Sequence, residues 1–212
     1  MAKDDPIERW AALYEARGFA GAGARETEEE KLIVERHTMD EFANSVREQL
    51  SIEISDIRDE PPPLPDFSAR VGGGGVNIEL TEFIDSELLR QAKLIKKEPD
   101  HPLNDLKTSG GLWFETNSKW FSALLRKTVE KKERKYQDRD SKIDILLVWN
   151  EALQVGIENT DQWLREFTLQ KPKNISSVYF QSWYHPGFVS RPTWSIMPHP
   201  LLGEMKPVLK EL

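Results

Sequence analysis

Residues 65–83 read PDFSARVGGGGVNIELTEF, two alternating apolar runs on either side of four glycines. A chain with this pattern folds back on itself as a β-hairpin, because the alternation marks half-buried strands and the glycines free the backbone to turn. Asp66 opens the first run and Glu79 lies inside the second. In an antiparallel pair the start of one strand meets the end of the next, so the hairpin brings the two carboxylates together. Two carboxylates on neighbouring strands are the minimum oxygen set for holding a hard divalent cation such as Mg²⁺ or Mn²⁺. The glycine run is no phosphate cradle: no Gly-Lys-Ser/Thr follows it, and it joins two strands rather than opening a helix.

Around the hairpin the pattern alternates between helix and strand. Residues 6–17 suit a short helix with Pro6 in its first turn. Residues 26–50 predict a long one, with Thr27 as N-cap, Glu30 as capping-box partner and an apolar stripe of Leu32, Ile33, Phe42, Val46 and Leu50. Residues 51–57 alternate as a strand, and Pro61-Pro62-Pro63 leads into the hairpin as an extended linker. Beyond it come a short helix at 86–97, a loop at 98–116 and a second long helix at 117–137. The segment 143–149, IDILLVW, is apolar on both faces and predicts a central strand. A helix at 158–169 and a strand at 175–184 follow, and the proline-rich tail from His185 reads as extended. The core order is α-β-β-β-α-β, an α/β class with residues 1–25 as a helical appendage, 26–150 as the core and 151–212 as an elaboration of the same domain.

Composition narrows the chemistry. The sequence has no cysteine, which removes disulfides, thiolate metal sites and thiol nucleophiles and suits a reducing compartment. The four histidines have no metal-ligand spacing, so zinc is not indicated. No stretch reaches membrane-span length and the N-terminus carries no apolar leader, so the chain is read as soluble and cytoplasmic. The net charge of −7 argues against a general polyanion binder, but residues 126–142 concentrate Lys and Arg, and a local basic face outweighs a negative total.

The element order, with Pro65-Asp66 opening the second strand and Glu79 in the third, resembles the PD-(D/E)XK nuclease superfamily over roughly residues 26–149. The resemblance implies a restriction-endonuclease-like αβββαβ core with a mixed sheet, and a metal-dependent phosphodiesterase acting on DNA, with RNA as the second substrate class. It implies Mg²⁺ or Mn²⁺ ligated by Asp66, Glu79 and the Leu80 carbonyl, with a metal-activated water attacking the scissile phosphate. The family pattern wants a lysine two residues after the second acid, where this chain has Thr81. Several branches resemble this one in carrying that lysine on the following core helix. There Lys132 falls on the apolar face of Phe121, Leu125, Val129 and Tyr136. Lys132 is therefore the catalytic candidate and Lys131 the second choice. Lys131 and Lys135 sit one position off that face and read as solvent- or phosphate-facing. Together with Lys127 and Arg134 they make up the nucleic-acid-binding candidates. Glu30 resembles the auxiliary acid that some members place on the first helix, with Glu29 and Glu35 as competitors.

Each feature has a plainer reading. Asp66 after a proline suits a turn or cap. Glu79 shares a strand face with Asn77 and Thr81 that an antiparallel sheet could leave in solvent. Lys132 could snorkel, with its stem on apolar surface and its ammonium in water. The acids of the first helix and the basic run at 126–135 suit solvated helix faces. Trp183, Tyr184, Phe188 and Trp194 suit packing of the C-terminal elaboration more than base stacking. The alternative function is a nuclease-fold protein without catalysis that binds nucleic acid or protein. A strand at 175–184 with a free edge would offer a homodimer contact.

Overall fold

The computed structural model describes residues 28–85, 117–139, 141–150, 156–182 and 187–209. The appendage at 1–25 with its helix at 6–17, the Thr27 cap, the helix at 86–97, the loop at 98–116, and Trp183 and Tyr184 lie outside the described residues.

Six strands form one mixed sheet in the order β1 (Ile54–Asp59), β2 (Phe67–Val71), β3 (Gly74–Glu82), β4 (Ile143–Trp149), β5 (Ile175–Gln181) and β6 (Thr193–Met197). β1, β2 and β3 are antiparallel, β3, β4 and β5 run parallel, and β6 returns antiparallel to β5. A parallel pair needs a crossover. The described helices α2 (Ser118–Tyr136) and α3 (Ile157–Glu166) lie in the β3–β4 and β4–β5 connections. Both pack on one face of the sheet, where Phe121, Leu125, Val129 and Trp163 meet Leu146, Val148 and Phe180. Helix α1 (Glu28–Leu50) covers the other face with Met39, Phe42 and Val46, one helical stripe set against Ile78, Leu80, Ile145, Leu147 and Tyr179. The strand IDILLVW is thus buried from both sides, as its composition requires.

The position of α2 governs the site. Its N-cap is Asn117, whose Oδ1 accepts the Trp120 N–H at 3.0 Å, and Arg134 and Lys135 close its last turn, where cations favour the helix dipole. Phe83, just past β3, packs its ring 5.0 Å from Phe121 of α2 and 5.3 Å from Phe180 of β5. Burying rings of this size contributes on the order of 1.5–3 kcal/mol each. The contact holds the helix over the β3 face that carries Asn77, Glu79 and Thr81.

Local expectations change: Pro61-Pro62-Pro63 enters a turn, closed by the Leu64 N–H to the Pro61 carbonyl, rather than an extended linker, and the first strand runs Ile54–Asp59 rather than 51–57. Only Gly72 and Gly73 form the hairpin tip, with φ of 55° and 84°, the positive pair that a two-residue turn of right-handed twist needs; Gly74 and Gly75 already belong to β3. The tail is not simply extended. Residues 193–197 form β6, an edge strand between Pro192 and Pro198, and proline is tolerated at such flanks. As a consequence β5 is no free edge. β4 occupies one side and β6 the other from Val178 to Gln181, so the edge expected for a homodimer contact is taken over that part of residues 175–184.

Candidate active site

Glu79 is the centre of the site. It sits mid-strand in β3, points to the α2 side of the sheet and is fully buried. An isolated carboxylate there would be prohibitively costly, so it must be paired and hydrogen-bonded. One face of α2 supplies the partners. Lys132 Nζ donates to Glu79 Oε1 at 2.5 Å, Lys135 Nζ donates to the same oxygen at 2.7 Å, and the Tyr136 hydroxyl donates to Oε2 at 2.6 Å. Positions 132, 135 and 136 stand at i, i+3 and i+4, the spacing that places three side chains on one helical face. Lys132 Nζ also donates to the Leu80 carbonyl at 2.7 Å. The strand face with Asn77, Glu79 and Thr81 is therefore covered at Glu79 by helix, and Thr81 is half-buried.

Asp66 completes the set. It lies one residue before β2, and the register Phe67↔Ile78 carried one step further sets it opposite Glu79. Its Oδ2 accepts the Leu80 N–H at 2.8 Å, which holds the carboxylate against β3, and its own carbonyl accepts the Glu60 N–H at 3.0 Å. The preceding loop is tied to the end of α2. Arg139 Nη1 donates to the Pro63 carbonyl at 2.6 Å, and the Tyr136 hydroxyl lies 3.3 Å from the Leu64 carbonyl. One helix end thus positions both the segment that delivers Asp66 and the partners of Glu79.

The two acids are pushed apart in acidity. Burial raises the Asp66 pKa, and the negative charge of Glu79 adds to it, against the opposing influence of Lys132, the Leu80 N–H and Lys135. Burial acts the same way on Glu79. There the Lys132 charge and the hydrogen bonds from Lys132, Lys135 and Tyr136 outweigh it, and Glu79 is held below its ordinary value. Burial and the hydrogen bond to Glu79 raise the Tyr136 hydroxyl far above its usual range, so it stays protonated and acts as a donor. A carboxylate kept ionised beside one biased toward its proton is an arrangement common to acid–base sites and to structural ion-pair hubs.

The sequence-predicted residues divide accordingly. Asp66, Glu79, Lys132 and the Leu80 carbonyl come together. Lys135, expected to face solvent or phosphate, instead contacts Glu79; its stem spans the one-residue offset, because i+3 shares the face of i. Lys131, the second choice for the catalytic lysine, is exposed and is not among the partners of Glu79, whereas Lys135 is. Lys127 and Arg134 are exposed on α2. Of Glu30 only the helical backbone is described, in the first turns of α1. The residue that sequence reading missed is Tyr136, counted there as an apolar stripe member. The available signal was its hydroxyl, since a buried tyrosine O–H usually finds an acceptor.

Two carboxylates and a carbonyl are all hard oxygen donors, and Mg²⁺ is commonly held by one or two carboxylates with water completing its shell. In donor type the set fits a hard divalent cation. Among the described residues no group of three or more His, Cys, Asp or Glu side chains is placed to hold a metal. Set against models of known protein families, curated proteins and solved structures, the chain matches none.

Proposed function

We propose that the protein is a metal-dependent phosphodiesterase that cleaves DNA, built on a restriction-endonuclease-like αβββαβ core. The observation that carries this reading is the convergence of Asp66 and Glu79 from adjacent strands with Lys132 and Lys135 from α2. The order α1-β1-β2-β3-α2-β4 supports the same core, with β5 and β6 as its extension. Asp66, Glu79 and the Leu80 carbonyl would hold Mg²⁺ or Mn²⁺, which when bound lowers the pKa of its water and offsets charge developing on a phosphate. The chain's own residues do the rest. Tyr136 fixes the Glu79 carboxylate by its second oxygen, and the first is held by the two lysines. The lysines bring positive charge to the place where an anionic substrate would sit. Lys127, Lys131 and Arg134, at i, i+4 and i+7, form an exposed cationic line along α2 suited to backbone phosphates.

The test is nicking of supercoiled plasmid with Mg²⁺ or Mn²⁺. Glu79→Ala should lower the rate by about a hundredfold or more, since several kcal/mol of transition-state stabilisation would be lost. Equal activity of the variant and the parent would remove the mechanism. A second reading has its own observation. Both Glu79 oxygens already accept protein donors, which suits an ion-pair hub in a nucleic-acid-binding module without catalysis. Salt-dependent DNA binding with no cleavage, weakened by Lys127→Ala/Lys131→Ala, would select it.

A further inference from the structure

Lys132 bonds to two different groups at once, and they are two of the three oxygen donors that the metal reading needs. Its ammonium sits 2.5 Å from Glu79 Oε1 and 2.7 Å from the Leu80 carbonyl oxygen, with Asp66 alongside and bonded to the Leu80 N–H. Lys135 differs. It reaches Glu79 Oε1 at 2.7 Å, does not touch the Leu80 carbonyl, and is more exposed, 41% against 16% for Lys132. We infer that Glu79 Oε1 and the Leu80 carbonyl form one cation seat filled in alternation by the Lys132 ammonium and by a divalent cation, so that Lys132 is a built-in competitor for the metal. This rests on the metal-dependent reading above.

The reasoning is electrostatic and steric. An ammonium and a divalent cation both want these anionic and carbonyl oxygens at contact distance, and the position that bonds Glu79 Oε1 and the Leu80 carbonyl together holds one of them at a time. With Lys132 seated, Glu79 is compensated and the buried carboxylate is stable without metal. When the seat changes hands, Lys132 leaves on its flexible four-carbon stem and its ammonium becomes available to a phosphate at the same site. Metal loading and delivery of the lysine are then one event, and the metal affinity is set partly by the bonds that Lys132 must give up.

Titration of the folded full chain with Mn²⁺, by calorimetry or by loss of the free-ion paramagnetic resonance signal, tests this. Lys132→Met and Lys135→Met each remove one positive charge next to Glu79 Oε1, and only Lys132→Met also frees the Leu80 carbonyl. The seat predicts an excess for Lys132→Met: Mn²⁺ binding tighter than in the parent by about tenfold or more, and tighter than in Lys135→Met, because charge-assisted hydrogen bonds no longer have to break. Equal affinities in the two variants, or weaker binding in Lys132→Met, overturn the inference while leaving plasmid nicking by the parent intact. Absence of Mn²⁺ binding to every form overturns it together with the metal-dependent reading. A second measurement needs no substitution. Reductive methylation of the parent protein, read by mass spectrometry, should proceed faster at Lys132 when Mn²⁺ is added. Unchanged or slower labelling of Lys132 at saturating Mn²⁺ rejects the exchange.

Discussion

Glu79 and Gln181 are both sealed from solvent, on β3 and β5 of one sheet, and they are held in opposite ways. Glu79 is saturated by short bonds of 2.5–2.7 Å from two ammoniums and a hydroxyl. Gln181 donates through Nε2 to Ser45 Oγ at 3.5 Å and Thr193 Oγ1 at 3.3 Å. Its Oε1 has no partner among the described residues, nor do Ser182 Oγ and both polar atoms of the Gln49 side chain. The difference lies in charge. A neutral amide left partly unpaired costs about 1–3 kcal/mol, a price a well-packed sheet can absorb. An ionised carboxylate left unpaired costs far more, so the fold has to supply its donors before it can bury it. The region around Gln181 therefore reads as packing that includes polar atoms, and the region around Glu79 as one the helix was arranged to serve.

The sharpest way to break this contrast is the double substitution Lys132→Met/Lys135→Met. It leaves Glu79 buried beside a single hydroxyl donor, and urea unfolding should show a loss of about 3–5 kcal/mol, the range for stripping a buried charge of its partners. Tyr136→Phe comes next. It removes the Oε2 donor and keeps the ring, for an expected loss of about 1.5–3 kcal/mol in the same measurement. Gln181→Leu should shift the unfolding free energy by about 1 kcal/mol or less, because Ser45 and Thr193 keep other acceptors and an unpaired oxygen disappears. If Gln181→Leu proved as damaging as Tyr136→Phe, the two regions would not differ in kind.

The smallest expected effect concerns His199, on the α1 side of the sheet near Tyr179. Burial lowers its pKa, with the charge of Asp144 opposing, and its Nδ1 accepts the Leu201 N–H at 3.2 Å, a bond that only the neutral ring can make. A histidine depressed in the fold contributes stability above its unfolded pKa of about 6.5, and that contribution is lost as pH falls toward the folded value. The parent should lose more stability between pH 7.5 and 5.5 than His199→Gln, by a few tenths of a kcal/mol in urea titrations. An equal loss in both would place His199 outside the pH response.

The fold was legible where one physical signal dominated. IDILLVW could be little other than a doubly covered strand, and the hairpin announced itself by alternation around glycine. The acid pair was legible in part, since antiparallel geometry brings the start of β2 near the end of β3, but the two-residue turn that sets Asp66 opposite Glu79 was not. What the sequence did not disclose depended on reach and on company. Lys135 looked misplaced by one position because a helical wheel ignores the length of a lysine stem. Tyr136 looked apolar because its hydroxyl has a purpose only beside a buried carboxylate that lies on a distant segment. The strand TWSIM was hidden by its flanking prolines, which break a central strand but not an edge.

The two-residue turn at Gly72–Gly73 has a consequence for the far end of its hairpin. Side chains alternate along β3, so the length of that turn decides which residue stands across from Asp66. A single residue inserted between Gly73 and Gly74 that slipped β3 by one place would offer Asp66 an apolar neighbour and turn Glu79 toward the hydrophobic layer beneath α1. Neither acid would have been touched, yet the pair would be gone. The tip of the hairpin thus serves as a spacer whose length, more than its chemistry, decides whether a two-carboxylate site exists in this protein at all.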